Sequence, residues 1–180
     1  MAPGSVNLGN HLNQLCNSFP ENKGYLRAYE EFLRNEHMII FENQHVCLYV
    51  PYGQISIHEL QIMLKRRGTG DYLSLEEDEV VSLSIAEIMA VKLLDELGIH
   101  SFNEIIITLP FDSDNSAFSL IMCFVTREVD LAVSELNHLF VVDKYPEDTR
   151  ELLDPIKNKV IQNIKEQADG LWPEKVHFLF

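Results

Sequence analysis

The chain has 180 residues, 46% of them hydrophobic and 23% charged, which is typical of a single globular domain. Its formal net charge of −14 argues against a nucleic acid partner, because such a field repels a phosphate backbone at long range. No run of about 18 apolar residues occurs, so the sequence predicts no membrane span. A local basic cluster can still hold a small anion within about one Debye length.

The three cysteines, Cys16, Cys47 and Cys123, are odd in number and have no metal-binding spacing. Two of them lie in apolar runs, which is typical of reduced core residues. We therefore expect a reducing compartment and a cytoplasmic location. The first residues lack a charged stretch followed by an apolar one, so we expect no signal peptide.

The N-terminal half predicts two helices and three strands. Residues 1–22 read as a flexible leader with a short helix around His11–Cys16, and apolar residues at helical spacing predict a helix over Tyr25–Arg34. Short β-prone runs separated by turn residues predict the strands, the first two joined by a hairpin at Asn43-Gln44. The predicted strands cover residues 37–42, 45–50 and 56–64.

A polar, flexible stretch at 65–72 precedes the longest predicted helix, over residues 75–97. Ser74 and Glu77 match a capping box at its start, and Gly98 supplies the stop at its end. The start and stop residues therefore both support one uninterrupted helix.

The C-terminal half predicts two further strands and a helix. The strands cover 103–109 and 118–126, with a polar loop between them, and residues 136–142 read as an additional short strand. Pro146 opens the helix, and Pro155 is expected to restart or kink it with Asp154 as a cap. The apolar tail at 169–180 is expected to dock on the domain or on a partner. The predicted fold is α+β: one domain at 23–168, with an antiparallel sheet of five to six strands, a long helix and a C-terminal helix.

Four short segments follow one another in the order of a known pattern: Glu42-Asn43-Gln44-His45, Val50-Pro51-Tyr52, His58-Glu59 and Leu64-Lys65-Arg66-Arg67. This order resembles the strand meander of the histidine-triad superfamily, especially its galactose-1-phosphate uridylyltransferase branch. Phe102-Asn103 and the segment at 145–153 continue the resemblance, which covers roughly residues 25–155.

The resemblance implies a strand carrying three alternating histidines, of which the middle one attacks an α-phosphorus. If Thr126-Arg127 takes the family's Pro-Arg position, then Ser119, Ile121 and Cys123 stand where the histidines belong. No histidine occurs between His100 and His138, so a register slip does not restore the motif. The family also has histidine at the position of Arg67 and proline at that of Leu64. The resemblance therefore implies a phosphoryl-handling scaffold without its nucleophile.

Several residues are candidates for ligand binding. The basic cluster, Lys65-Arg66-Arg67, could hold a phosphate or an acidic partner, or it could be a solvated loop. The ligand-binding set that we predict comprises His58, Lys65, Arg66, Arg67, Asn103 and Arg127.

Other chemistry-bearing residues fit structural roles better. Ser119 and Cys123 could replace the nucleophile but lack a recognisable base, and a buried thiol is inert. His58 and Glu59, as strand neighbours, would point to opposite faces. The loop with Asp112, Asp114 and Asn115 reads as a turn, and we expect neither a metal nor a cofactor.

Three functions remain open. The first is a degenerate, non-catalytic histidine-triad-like domain kept for binding or assembly, with a nucleotide or phosphate as its possible ligand. The second is an unorthodox nucleotidyltransferase or phosphoanhydride hydrolase, using the basic cluster together with His58, Ser119 or a metal-bound water. The third is an interaction module whose likeness to this fold is incidental. Because the family's domains commonly pair, a homodimer is expected.

Overall fold

A computed structural model describes residues 8–18, 24–110, 114–127 and 145–168. The helices are α1 (Leu8–Ser18), α2 (Tyr25–Asn35), α3 (Glu77–Glu96) and α4 (Pro146–Ala168), with a short 3₁₀ turn at Tyr72–Ser74. The strands are β1 (Ile39–Glu42), β2 (Val46–Tyr49), β3 (Leu60–Leu64), β4 (Phe102–Ile107) and β5 (Ile121–Thr126). The predicted α+β class is confirmed.

The five strands form one antiparallel sheet in the order β1-β2-β3-β5-β4. The first three strands follow one another as a meander, and β5 lies between β3 and β4. Ile121 pairs with Met63 on one side and Ile107 on the other. The strand expected to carry the family's motif is thus an interior strand beside the 37–64 meander.

The predicted β1–β2 hairpin is present, and the side chain of Asn43 closes its turn. Its Oδ1 accepts hydrogen bonds from the backbone amides of His45 at 2.9 Å and Val46 at 3.0 Å. A short amide side chain that satisfies nearby backbone donors is the usual reason for asparagine in such turns. The turn fixes the register that pairs Glu42 with Cys47.

Helices cover both faces of the sheet. On one face α3 packs against β2 and β3, burying Leu83, Ala86, Met89 and Ala90. On the other face Tyr29 of α2 meets Tyr49 of β2 edge to face, with ring centroids 5.9 Å apart. Strands buried on both faces have near-continuous apolar sequences, which explains the runs seen in β2 and β5. α4 packs against α3 and β1.

Several predicted boundaries and caps are wrong. β3 begins at Leu60 rather than Ser56, because residues 56–59 form a loop in which His58 has a φ of 60°. The capping box of α3 is formed by Glu76 and Glu79 rather than by Ser74 and Glu77. Ser74 instead ends the 3₁₀ turn, where its backbone amide donates a hydrogen bond to the side chain of Asp71.

The third correction concerns Pro155. α4 continues through this residue as one helix, so the proline does not restart it. Asp154 is not a cap, because it forms ion pairs with Arg150 and, at 2.8 Å, with Lys157. Gly98, with a φ of 79°, ends α3 as predicted.

The expected helix at His11–Cys16 is present within the longer α1, and its Leu12 and Cys16 join the core. The proposed strand at 136–142 and the tail at 169–180 lie outside the described residues. No helix in the described part of the chain combines the length and apolar character that a membrane crossing needs.

Candidate functional site

The face of the sheet that carries Ile121 and Cys123 is the place where the resemblance predicts a phosphate site. The strand register aligns Tyr49, Gln61 and Cys123 side by side across β2, β3 and β5. Because side chains alternate along a strand, these three residues point to the same face. That face is the one covered by α2.

The side chain of Tyr29 packs on the Tyr49 end of this row. Its ring packs on Tyr49 and also stacks with Tyr25 at a centroid distance of 6.1 Å. The backbone amide of Tyr52 donates to the Tyr29 hydroxyl at 3.2 Å, and burial raises the pKa of this phenol to about 12. α2 is held in place by aromatic contacts over the row of Tyr49, Gln61 and Cys123.

A partly buried chain of hydrogen bonds runs along the row. The Tyr49 hydroxyl donates to Gln61 Oε1 at 2.8 Å, and Gln61 Nε2 donates to Glu59 Oε1 at 2.7 Å. Glu59 Oε2 in turn accepts from the backbone amide of Ile55 at 2.7 Å. Burial raises the pKa of the Glu59 carboxyl, although both hydrogen bonds favour its charged form. Tyr49, Gln61 and Glu59 are therefore hydrogen-bonded to one another.

Neither Ile121 nor Cys123 is accessible to a substrate in this arrangement. Each is 5% exposed. Burial, with a smaller contribution from Glu59, raises the pKa of the Cys123 thiol to about 12, so it is protonated at neutral pH. A protonated, buried thiol is a poor nucleophile.

The hydroxyl of Ser119 is hydrogen-bonded to the backbone. It is fully buried and lies 2.6 Å from the carbonyl oxygen of Leu64 and 3.1 Å from that of Arg66. These contacts fasten the chain after β3 to the start of β5. The hydroxyl is engaged with backbone and has no base beside it among the bonds described.

Each member of the basic cluster forms an ion pair with a carboxylate. Lys65 Nζ lies 2.8 Å from Glu42 Oε2, and Arg67 Nη2 lies 2.7 Å from Glu30 Oε2. The stretch at 65–72 is thereby tied to β1 and α2 by specific contacts.

Arg66 reaches in another direction. Its guanidinium donates hydrogen bonds to both carboxylate oxygens of Glu79 at 2.6 and 2.7 Å. It also donates to the carbonyl oxygen of Ser74 at 2.7 Å. The bidentate pair lowers the pKa of Glu79, which is 2% exposed and belongs to the capping box of α3. Arg66 therefore braces the start of α3.

The remaining predicted ligand residues lie near the other end of β5. His58 is buried, and its Nδ1 is 3.1 Å from the hydroxyl of Thr149 in α4. Asn103 is exposed on β4 opposite Val125, and Arg127 follows β5, where its amide donates to the carbonyl of Ser101 at 2.9 Å. Arg127 also lines a cavity of about 500 Å³ with Gly98, Ile99, His100 and Ser101.

The predicted set therefore divides into two groups rather than meeting at one point. Ser119 and Arg127 are eight residues apart along an extended chain, roughly 26 Å at about 3.3 Å per residue. The basic cluster lies at the Ser119 end, while His58 lies near Thr126, whose hydroxyl donates to Ile57. The structure places Lys65, Arg66 and Arg67 beside one another, but not beside His58, Asn103 or Arg127.

The oxygen-rich loop is only partly described. Asn115 donates through Nδ2 to Asn13 Oδ1 at 2.6 Å and to Asn17 Oδ1 at 3.1 Å, which anchors α1. Among the residues that the structure describes, no group of three histidine, cysteine or acidic side chains could hold a metal ion.

Sequence reasoning missed Tyr29, Tyr49 and Gln61, which fill the face beside Cys123. One signal was available: Gln61 is the single amide in the apolar segment Leu60–Leu64, and a polar residue buried in a strand needs a partner. The charged stripe of α2 was also missed. Arg27, Glu30 and Arg34 recur at helical spacing on one side of that helix.

The sequence matches no protein-family model and no curated protein. Solved structures do resemble it. A uridylyltransferase superposes with a TM-score of 0.61 at 20% identity, covering 74% of this chain and 49% of that chain. A zinc-bound histidine triad family protein from Mycobacterium smegmatis superposes with a TM-score of 0.54 at 14% sequence identity. The match covers 76% of this chain and 96% of that chain. An ADP-glucose phosphorylase from Arabidopsis thaliana with bound ADP-glucose superposes with a TM-score of 0.54 at 14% sequence identity. The match covers 71% of this chain and 46% of that chain.

The chain thus has the histidine-triad fold. It spans about half the length of the uridylyltransferase that it matches. At these identities the likeness identifies the architecture, and the chemistry of this chain has to be argued from its own residues.

Proposed function

We propose that this chain is a degenerate uridylyltransferase-like domain without nucleotidyl transfer activity, which serves as a binding or assembly module. The observation that carries the proposal is Ile121, a hydrocarbon side chain at the position that the resemblance assigns to the attacking imidazole. An isoleucine can act neither as nucleophile nor as acid or base.

The surroundings of Ile121 support the proposal. A phosphate site needs donors aimed at open space, whereas here Tyr49, Gln61 and Glu59 bond to one another and Tyr29 packs on Tyr49. Admitting a substrate to this face would require α2 to move and the buried hydrogen bonds to break. Each buried polar group left without a partner would cost about 1–3 kcal/mol.

The alternative of an unorthodox nucleotidyltransferase or hydrolase receives less support. It would use His58 or Ser119 for attack, yet His58 contacts Thr149 and Ser119 is engaged with two backbone carbonyls. The basic residues that would neutralise phosphate lie at the other end of β5 from His58. Ser119 does lie beside the basic cluster, but its hydroxyl is fully buried and bonded to backbone carbonyls, so it is not presented to a substrate.

The test is a turnover assay with purified protein. We expect no product from UDP-glucose, ADP-glucose or a diadenosine polyphosphate above the protein-free rate, and no nucleotidyl adduct in the intact mass. Turnover by the wild-type protein that disappears in Gln61→Ala or Cys123→Ser would contradict the proposal.

The proposal includes self-association, a nucleotide or phosphate ligand, and a reducing, cytoplasmic location. The edge strand β4 supports self-association, since its outer side pairs with no strand of the described sheet. The three unpaired, buried cysteines support the location. Light scattering across a concentration series tests self-association. A dimer mass is expected, and a monomer mass at every concentration would contradict self-association.

A further inference from the structure

A cavity of about 260 Å³ lies between α2 and the residues that follow β3, and it is lined by Arg27, Glu30, Glu31, Arg34, Lys65 and Arg67. We propose that this cavity is a binding site for a compact anion with two phosphate groups, of which pyrophosphate is the simplest. The inference specifies the phosphate ligand of the proposed function, but it does not rest on the loss of catalysis, because the cavity involves neither Ile121 nor the row beside it.

The charges around the cavity leave an excess of positive charge. Arg34 contacts Glu30 at 3.1 Å and Glu42 at 2.9 Å, while Lys65 binds the same Glu42 oxygen and Arg67 binds the other Glu30 oxygen. Three cations therefore share two carboxylates. Together with Arg27 and Glu31 the group carries a net charge of +1, on a molecule whose total is −14.

The lysine and arginine side chains of this network have more N–H donors than their ion pairs use. Lys65 can donate three hydrogen bonds and an arginine five, and Lys65 and Arg34 meet at one shared carboxylate oxygen, Glu42 Oε2. Arg27 is exposed and makes no ion pair with any residue that the structure describes. Guanidinium forks match the geometry of phosphate oxygens, so this arrangement favours phosphate over a halide.

The dimensions of the cavity decide the size of the ligand. Sites for drug-sized molecules occupy about 300–1,000 Å³, so 260 Å³ suits a diphosphate group better than a complete nucleotide sugar. The apolar or aromatic lining that would stack a base is also missing, because all six lining residues are charged. The ligand is therefore recognised through its charge and its phosphate oxygens.

Calorimetric titration of the full chain with pyrophosphate in a low-salt chloride buffer tests the inference. We expect one site with a Kd below about 1 mM, and binding that weakens as salt is added. Arg27→Ala should weaken binding about tenfold, the loss expected from one charge-assisted hydrogen bond, without lowering Tm. Lys92→Ala, a loss of the same charge on α3 outside the cavity, should leave Kd unchanged within about twofold.

Three results would overturn the inference: no binding at about 10 mM pyrophosphate, equal weakening by Arg27→Ala and Lys92→Ala, or UDP binding more than about tenfold tighter than pyrophosphate. The second would show a diffuse effect of net charge, and the third a site for a whole nucleotide. Because none of these measurements involves turnover, they can fail while the proposed loss of catalysis holds, and the reverse is equally true.

Discussion

At the scale of single residues, burial keeps two thiols of this protein neutral, whereas ion pairs keep a partly buried carboxylate charged. Cys47 and Cys123 have pKa values raised to about 12, mainly by burial, whereas Arg34 is the main cause of a pKa of about 2 for Glu42. Desolvation and pairing thus act in opposite directions on groups only a few residues apart.

The cysteines give the first prediction. All three are at most 5% exposed, and the thiolate is the reactive form, so the native protein should not react with a thiol reagent within minutes. Absorbance with a disulfide reagent at pH 8 measures this directly, and all three thiols should react after denaturation. Rapid labelling of Cys123 in the native state would show that α2 opens over the sheet.

Glu42 gives a pH-dependent prediction. Because its folded pKa is depressed below 4.5 to about 2, its ion pairs stabilise the fold above pH 4.5, and this contribution is lost as pH falls towards 2. Glu42→Gln should lower the free energy of unfolding at pH 7 by about 1 kcal/mol, since the side chain is partly solvated. Urea titrations should show the difference shrinking between about pH 5 and about pH 3.

Glu151→Gln, on the exposed side of α4, is the matched control for Glu42→Gln and should change stability by less than about 0.5 kcal/mol. A difference between wild type and Glu42→Gln that stays constant with pH would contradict the ion-pair explanation.

At the scale of elements, the segment after β3 is positioned from both sides. Gly68 donates its amide to the carbonyl of Phe118 at 2.8 Å, and Ser119 bonds to the carbonyls of Leu64 and Arg66. The basic side chains project from a backbone that β5 holds in place. What the sequence presents as a mobile basic loop is therefore a fixed part of the fold.

Ser119→Ala tests this arrangement. Losing the hydroxyl should reduce the free energy of unfolding by about 1–2 kcal/mol, because its buried hydrogen bond to the carbonyl oxygen of Leu64 is removed. Hydrogen exchange should accelerate at the amide of Gly68 more than at amides of β1. Ser101→Ala, at an exposed position, is the control, and equal exchange in both variants would show that Ser119 does not hold the segment.

At the scale of the whole molecule, the net charge of −14 opposes compaction, because like charges repel more strongly when the chain is folded. Raising sodium chloride from about 10 to about 150 mM shortens the Debye length from about 30 to about 8 Å. We therefore expect Tm at pH 7 to rise by a few degrees, measured by circular dichroism. Near the sequence pI of about 4.8 the same salt step should have a smaller effect; an equal effect at both pH values would exclude self-repulsion as its cause.

The sequence alone was sufficient for the fold class, the hairpin at Asn43 and the helix ended by Gly98. These features follow from local causes: periodicity, turn chemistry and the conformational freedom of glycine. Boundaries failed where tertiary contacts compete with local preference, as at His58, which has a positive φ and whose side chain is hydrogen-bonded to Thr149 in α4.

Only the tertiary structure decided what packs on the row beside Ile121 and which carboxylate each basic residue meets. Tyr29 and Cys123, or Arg67 and Glu30, are far apart in sequence, and no local pattern encodes their approach. The amide of Gln61 was visible in the sequence, but the sheet register determined that it bonds to Tyr49 and Glu59 rather than to a ligand. Side chains distant along the chain meet only after burial of the apolar strands has fixed where the backbone runs, so their partners belong to the fold and not to the local sequence.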